Sequence, residues 1–415
     1  MLSMTRRTVI RSATALAAGG ITSTGAGQTP TPPYLPPNIP AWTRSQGTPY
    51  LSPPYGVPSI YEKNVIRRNR DKPPTDTVAV SRSPIQNMHG MVTANGLIFE
   101  RHHAGVPIIN PNEHRLMLHG LVERPLLFSM DDLLRFPAVS KFYFLECAGN
   151  SSSEWKRSSI HSVQLTHGLL ACCEWTGVPL ATLLAEAGVQ PSASWILAEG
   201  ADGAAMTRSI PVKKALDDAL VAYAQNGEML RPEQGYPVRL LLPGYEGNTS
   251  VKWLRRLKVG DRPWYSREET SQYTMLQPDG TALQFMFEMD VKSVITFPND
   301  ERTFKVPGQY EISGVAWSGR GHITKVDVSI DGGKSWRPAT LQAPVLPKCL
   351  VRFRFPIQWD GQPLELQSRA TDSTGEIQPT RAKLLSMRGT NSIYHYNAIQ
   401  GWKVAPDGGI TNANA

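Results

Sequence analysis

The 415-residue chain has four cysteines, Cys147, Cys172, Cys173 and Cys349. That is too few for a disulfide scaffold of this size, and their spacing is not that of a zinc site. No Cys-x-x-Cys-His haem motif occurs, and the cysteines are not spaced for an iron–sulfur cluster. No run of 18 apolar residues exists, which excludes a multispanning helical membrane protein. The first 27 residues contain no acid, and no internal repeat is visible. Gly and Pro are plentiful, 34 of each, and point to a loop-rich, strand-rich protein rather than a helical bundle. A hydrophobic fraction of 40% excludes global disorder, and the length predicts two or three domains. The net charge of +8 invites a nucleic-acid reading. Three of those cations, Arg6, Arg7 and Arg11, sit in the acid-free N-terminus and weaken that reading.

Arg6-Arg7 ahead of a modest Ala/Gly-rich apolar stretch reads as a twin-arginine export signal over residues 1–27. Export after folding makes sense when a cofactor is inserted in the cytoplasm, so a periplasmic location is expected. Residues 28–60 hold 10 of the 34 prolines, which forbids a helix or a central strand. Interspersed Tyr34, Trp42, Tyr50 and Tyr55 favour a strap laid on the folded body, over 28–84, rather than a plain spacer.

From about 85 to 287 short apolar runs alternate with helical windows. Phe142–Leu145 and Val238–Pro243 read as buried strands. Leu180–Ala187, stopped by Gly188, and Lys213–Gln225, stopped by Asn226-Gly227, read as helices. Over 288–400 the period becomes two: Val326, Val328 and Ile330 alternate with polar residues before an Asp331-Gly332-Gly333 turn. Val351, Phe353 and Phe355 alternate with Arg352 and Arg354, one face buried and one wet. This predicts an α+β chain: a mixed α/β domain, then an all-β immunoglobulin-like sandwich and a tail over 401–415.

The most informative segment is Phe142-Tyr143-Phe144-Leu145-Glu146-Cys147-Ala148-Gly149-Asn150. A strand delivers one cysteine to a small-residue loop, where backbone amides can approach a ligand. Cys147 is a nucleophile, a soft metal ligand or an inert thiol on this pattern alone. Cys172 and Cys173 allow a vicinal disulfide or two reduced core thiols, and Cys349 reads as structural.

In combination, Tyr55-Gly56-Val57-Pro58-Ser59, Phe99-Glu100-Arg101-His102-His103, Cys147-Ala148-Gly149-Asn150, Gly235-Tyr236-Pro237-Val238-Arg239 and Val251-Lys252-Trp253-Leu254 resemble the sulfite oxidase family of molybdopterin enzymes. The likeness is greatest to its sulfane dehydrogenase branch. The resemblance implies that Cys147 is the one protein ligand of a molybdenum held by a single pterin dithiolene. It implies a pterin gripped by Arg101, His103, Asp218, Arg239, Ser250 and Lys252. Tyr273 would stand beside the metal, Trp175 would wall the pocket, and Arg101 would help neutralise an anionic substrate. His102 stays unassigned, because neighbours on an extended segment face opposite ways.

Two departures from the family bear on substrate. Arginines that follow Cys-Ala-Gly-Asn in typical sulfite oxidases are replaced by Ser151-Ser152-Ser153, and Tyr394-His395-Tyr396 stands where another substrate arginine is common. Each lost charge-assisted bond is worth about 1.5–3 kcal/mol. A protein-bound sulfane sulfur is therefore expected as substrate, with free sulfite as the alternative. A secreted binding module with an inert Cys147 is the rival from another class. With no haem in the chain, electrons must leave to a redox partner, which the resemblance identifies as a c-type cytochrome subunit. The resemblance further implies a homodimer through the β domain, within a heterotetramer, while the placement of the cations argues against nucleic acid and the lack of a long apolar run against a membrane span.

Overall fold

The computed structural model describes residues 39, 41–46, 59–69, 72 and 75–414. The twin-arginine segment, Tyr34, Tyr50 and the Tyr55-Gly56-Val57-Pro58 stretch lie outside the described residues. The described residues from 41 onward belong to one compact unit.

Two sheets build its first part. Val139–Glu146 pairs antiparallel with Leu170–Pro179, which pairs with Leu220–Gln225; Arg239–Leu241 joins the last of these. In the second sheet Leu116–Gly120 lies parallel to Leu254–Gly260, which continues antiparallel to Trp195–Gly200 and Thr207–Pro211. A shared apolar core joins both sheets to helix Leu180–Ala187. That helix buries Leu180, Leu183, Leu184 and Ala187, the spacing of one helical face. It ends at Gly188, whose φ of +69° suits glycine and whose added Cβ would lie 2.7 Å from Glu123 Oε2.

The helix expected over 213–225 is a correction. The chain makes a helix only over Val212–Asp217 and then a strand, Leu220–Gln225. Asp217 and Asp218 interrupt the apolar pattern, and Val221 and Ala222 are buried between two strand partners. Asn226-Gly227, both at positive φ, is a hairpin turn into Glu228–Met229 rather than a helix stop.

The second part is a β-sandwich. One sheet runs Lys292–Phe297, Gly308–Trp317, Val351–Trp359, Thr340–Leu341. The other centres on Ile323–Ser329 and Leu364–Asp372, followed by Gly401–Val404 and Ile410–Asn412. Val351, Phe353 and Phe355 face its core, but Arg352 is not wet. It is buried and donates to the carbonyls of Met88 (2.6 Å) and Gly90 (3.1 Å). A loop from the first part covers that face.

Phe144 and Cys172 belong to the same apolar core as Val315, Trp317 and Phe353, so the sandwich packs on the strand that carries Cys147. Cys172 and Cys173 are free thiols on one strand and face different cores, as alternation along a strand requires. Among the described residues no helix is long and apolar enough to cross a membrane.

Candidate active site

Strand Val139–Glu146 ends by delivering Cys147 to a turn in which Asn150 N–H donates to the Cys147 carbonyl (2.8 Å). The Cys147 N–H donates to the Leu169 carbonyl (3.0 Å). Glu146 anchors the turn from below: it is buried and accepts from Trp317 Nε1 (2.6 Å), Asn150 Nδ2 (2.9 Å) and Lys292 Nζ (3.4 Å). From the other side the turn Gly247–Thr249 closes in. A Cβ on Gly247 would stand 2.8 Å from the Glu146 carbonyl oxygen and 3.5 Å from Cys147 N, so only glycine fits without a shift. Cys147 thereby faces a cavity that Arg101, His103, Arg239, Lys252 and Tyr273 also line. Burial pushes its thiol up, while the Gly149 amide and Arg101 pull the other way.

Cations converge on this cavity. Arg239, 2% exposed, donates to the carbonyls of Gln234 (3.0 Å) and Ser250 (2.8 Å), and its plane lies 5.2 Å over the Trp175 ring. Lys252 donates to the carbonyls of Arg101 (3.2 Å) and Glu233 (3.0 Å) and to His102 Nδ1 (3.0 Å). Neither has a carboxylate at ion-pair distance among the described residues. Burial pushes Arg239 down to about 10 and Lys252 well below the usual amine range. Two buried cations held by neutral carbonyls lack an anion, and the cavity between them is where one fits. Asn248 adds an amide to the cavity wall and also bonds the Glu246 carboxylate behind it. The donor set suits an anionic, hydrogen-bonding pterin phosphate. No group of three or more His, Cys, Asp or Glu among the described residues suits a metal ion, so a metal at Cys147 needs ligands from the cofactor itself.

His103 lines the cavity, and burial with the Arg101 and Lys252 charges lowers it to about 4. Alternation is overruled here: His102 lines the same cavity, because strand Glu100–His102 ends and the chain bends at 103–104. The His102 ring links Lys252 to the buried Glu100 carboxylate (2.8 Å), which is also paired with Arg67.

Tyr273 also lines the cavity, at a φ of +39°, with the Arg208 guanidinium 5.2 Å over its ring and the Tyr394 ring 5.2 Å away. Burial, then the Cys147 charge, pushes its hydroxyl far above the usual phenol range. Behind it, Arg208 donates to Glu246 (3.1 Å), and Glu246 meets His395 Nε2 (3.0 Å). Burial alone would raise the Glu246 carboxyl, but the His395 hydrogen bond and the Arg208 charge hold it below the usual carboxylate range.

The structure therefore brings Cys147, Arg101, His103, Arg239, Ser250, Lys252 and Tyr273 to one cavity. Two expected residues are elsewhere. Asp218 pairs with Lys214 (2.6 Å) and Lys348 (2.5 Å), and two lysines leave it no reason to face the cavity. Trp175 is fully buried, donates to the Tyr143 carbonyl (3.2 Å) and supports Arg239 from behind instead of walling the pocket. Ser250 contributes its carbonyl to Arg239, its hydroxyl being occupied by the Leu242 amide (3.0 Å). Sequence reasoning missed Asp202, Gln234 and Asn248. Asn248 was within reach, lying in the Gly247–Ser250 turn, whereas Arg208, Glu246 and His395 meet only in the fold.

Residues 103–268 match the oxidoreductase molybdopterin binding domain family, and residues 284–401 match the Mo-co oxidoreductase dimerisation domain. The chain is 33% identical to sulfite oxidase of Gallus gallus over 328 residues, covering 72% of this chain and 71% of that protein. It is 32% identical to mitochondrial sulfite oxidase of Homo sapiens over 370 residues, 83% of this chain and 66% of that protein. The chain thus spans about two thirds of the length of the curated relatives it matches. The crystal structure of the sulfane dehydrogenase SoxCD from Paracoccus pantotrophus is similar at a TM-score of 0.84 and 46% identity, over 92% of this chain and 99% of that one.

Proposed function

Since the chain belongs to the sulfite oxidase family of molybdopterin oxidoreductases, we propose that it oxidises sulfane sulfur carried on the cysteine of a carrier protein. The observation that carries this reading is the set of groups around Cys147. Ser151 to Ser153 offer no charge, and the Ser151 hydroxyl is taken by Lys292 Nζ (2.9 Å). On the Tyr273 side the cation Arg208 is already paired with Glu246 and Glu269. A free dianion finds little grip there, whereas a sulfur group on a protein brings binding energy from its carrier. The 46% identity to a sulfane dehydrogenase supports the same choice.

Arg239, Lys252, Arg101 and His103 would hold the pterin, and Cys147 would hold the molybdenum. When bound, that cofactor supplies oxygen-atom transfer, with water as oxygen source and two electrons released per oxygen. The chain's own residues orient the sulfur group: Tyr273 lines the cavity, and Arg101 gives an anionic group one positive contact. Electrons pass to a c-type cytochrome partner. A homodimer through residues 288–400 and a periplasmic location reached by the Arg6-Arg7 signal complete the proposal. Arg101, with no carboxylate at ion-pair distance among the described residues, also favours a second reading, oxidation of free sulfite.

Turnover with cytochrome c separates the two. Carrier loaded with a thiosulfonate should be oxidised and free sulfite spared, and Cys147→Ser should abolish the activity. Rapid oxidation of free sulfite with no turnover of loaded carrier would overturn the carrier assignment.

A further inference from the structure

One buried carboxylate, Glu246, lies beside the Cys147 loop without lining the cavity. Glu246 is 1% exposed and immediately precedes the Gly247–Thr249 turn that packs on the Cys147 loop. One of its oxygens accepts from Arg208 Nη2 (3.1 Å). The other meets His395 Nε2 (3.0 Å), and the His395 backbone N–H donates to the Ala148 carbonyl (2.9 Å). The carboxylate is thereby fixed between the two backbone segments that flank the cysteine. Its negative charge reaches the two tyrosines beside Cys147: burial comes first in raising Tyr273 and Tyr394, and the Glu246 charge adds to it while the Arg101 charge opposes it.

Arg208 does not cancel this charge for an incoming anion. Its Nε lies 3.6 Å from Glu269, so two carboxylates share one guanidinium that is itself 1% exposed. A dianion approaching Cys147 from the Tyr273 side meets Coulomb repulsion twice that felt by a monoanion, in a partly desolvated site where charges are weakly screened. Discrimination by a misplaced like charge is an ordinary route to specificity.

Resting on the carrier-bound reading above, we infer that Glu246 is a specificity-determining residue that excludes small free dianions, sulfite and sulfate, while admitting a sulfonate borne on a thiol, which carries a single charge. The position of Glu246 makes the exclusion a property of the fold and not merely of missing arginines.

The test is binding of inert anions to the cofactor-loaded full chain by titration calorimetry. The probes are sulfate and a short peptide whose cysteine carries an S-sulfonate. The wild type should bind the peptide at least about tenfold more tightly than sulfate. Glu246→Gln, which keeps the shape and the hydrogen-bonding capacity, should tighten sulfate about tenfold or more and the peptide about threefold or less. Near-ultraviolet circular dichroism and molybdenum content check that the variant is folded and loaded. Unchanged or weaker sulfate binding in a folded Glu246→Gln overturns the inference. So does a wild type that binds sulfate as tightly as the peptide, which decides the matter even if the variant does not fold. Failure of the carrier-bound reading has a different signature, namely fast wild-type turnover of free sulfite and none of the loaded carrier.

Discussion

At the scale of single residues, the site is a problem of charge without counter-charge. Arg239 is held by three carbonyls in a cavity wall, a placement that makes sense once an anion occupies the space before it. Arg239→Met removes a costly buried charge but leaves three carbonyls without their donor, so the cofactor-free protein should lose about 1–3 kcal/mol in denaturant unfolding. In the loaded protein it should cost about 1.5–3 kcal/mol of cofactor binding, read as lost molybdenum in purified material. His114 is a case dominated by burial, with the neighbouring Arg115 charge adding to it. It is 1% exposed, its ring nitrogen bonds the Leu254 carbonyl (2.9 Å), and burial lowers it to about 4. The unfolded chain takes up that proton near pH 6.5 and the folded one only near 4. Stability should fall as pH drops through this window, by on the order of 3 kcal/mol from this residue. Denaturant unfolding at several pH values should show a shallower acid limb in His114→Gln. Residues of this kind divide by legibility. Cys147, Arg101 and Lys252 sit in contiguous motifs and could be picked from the sequence, while Glu246, Arg208 and His395 come from three distant segments.

At the scale of elements, the decisive contact is a turn pressed on a turn. Gly247→Ala puts a methyl group 2.8 Å from the Glu146 carbonyl and should push the Gly247–Thr249 turn off the Cys147 loop. A loss of about 1–3 kcal/mol in unfolding free energy is expected, together with reduced cofactor content. Wild-type-like values of both would contradict the packing described. The same scale explains where pattern reading failed. Residues 213–225 are apolar enough to pass for a helix, but two interior strands claim Val221 and Ala222, and tertiary pairing overrides local periodicity. Helix Leu180–Ala187 was legible because its faces differ cleanly, and strand Ile323–Ser329 from its alternating valines, although Asp327 and Ser329 are buried as well. Arg352 was not, since the loop that buries it is more than 250 residues away in sequence.

At the scale of the whole molecule, the sandwich and the cofactor region act as one body. The Lys348 carbonyl accepts from Phe144 N–H (2.9 Å), and its ammonium pairs with Asp218 (2.5 Å), so residues near the sandwich steady the strand leading to Cys147. Asp218→Ala should lower stability by about 1–3 kcal/mol, read in denaturant unfolding, while leaving molybdenum content at the wild-type level. A loss of molybdenum without loss of stability would return Asp218 to the cofactor site. The net charge of +8, which first suggested nucleic acid, is better explained in part by cations aimed at an anionic cofactor. The central claim is that Cys147 carries the molybdenum. X-ray absorption at the molybdenum edge tests it most directly, comparing the loaded wild type with Cys147→Ser. The wild type should show one more molybdenum–sulfur bond than the variant, or the variant should hold no molybdenum at all. Equal sulfur coordination in two fully loaded proteins would contradict the account.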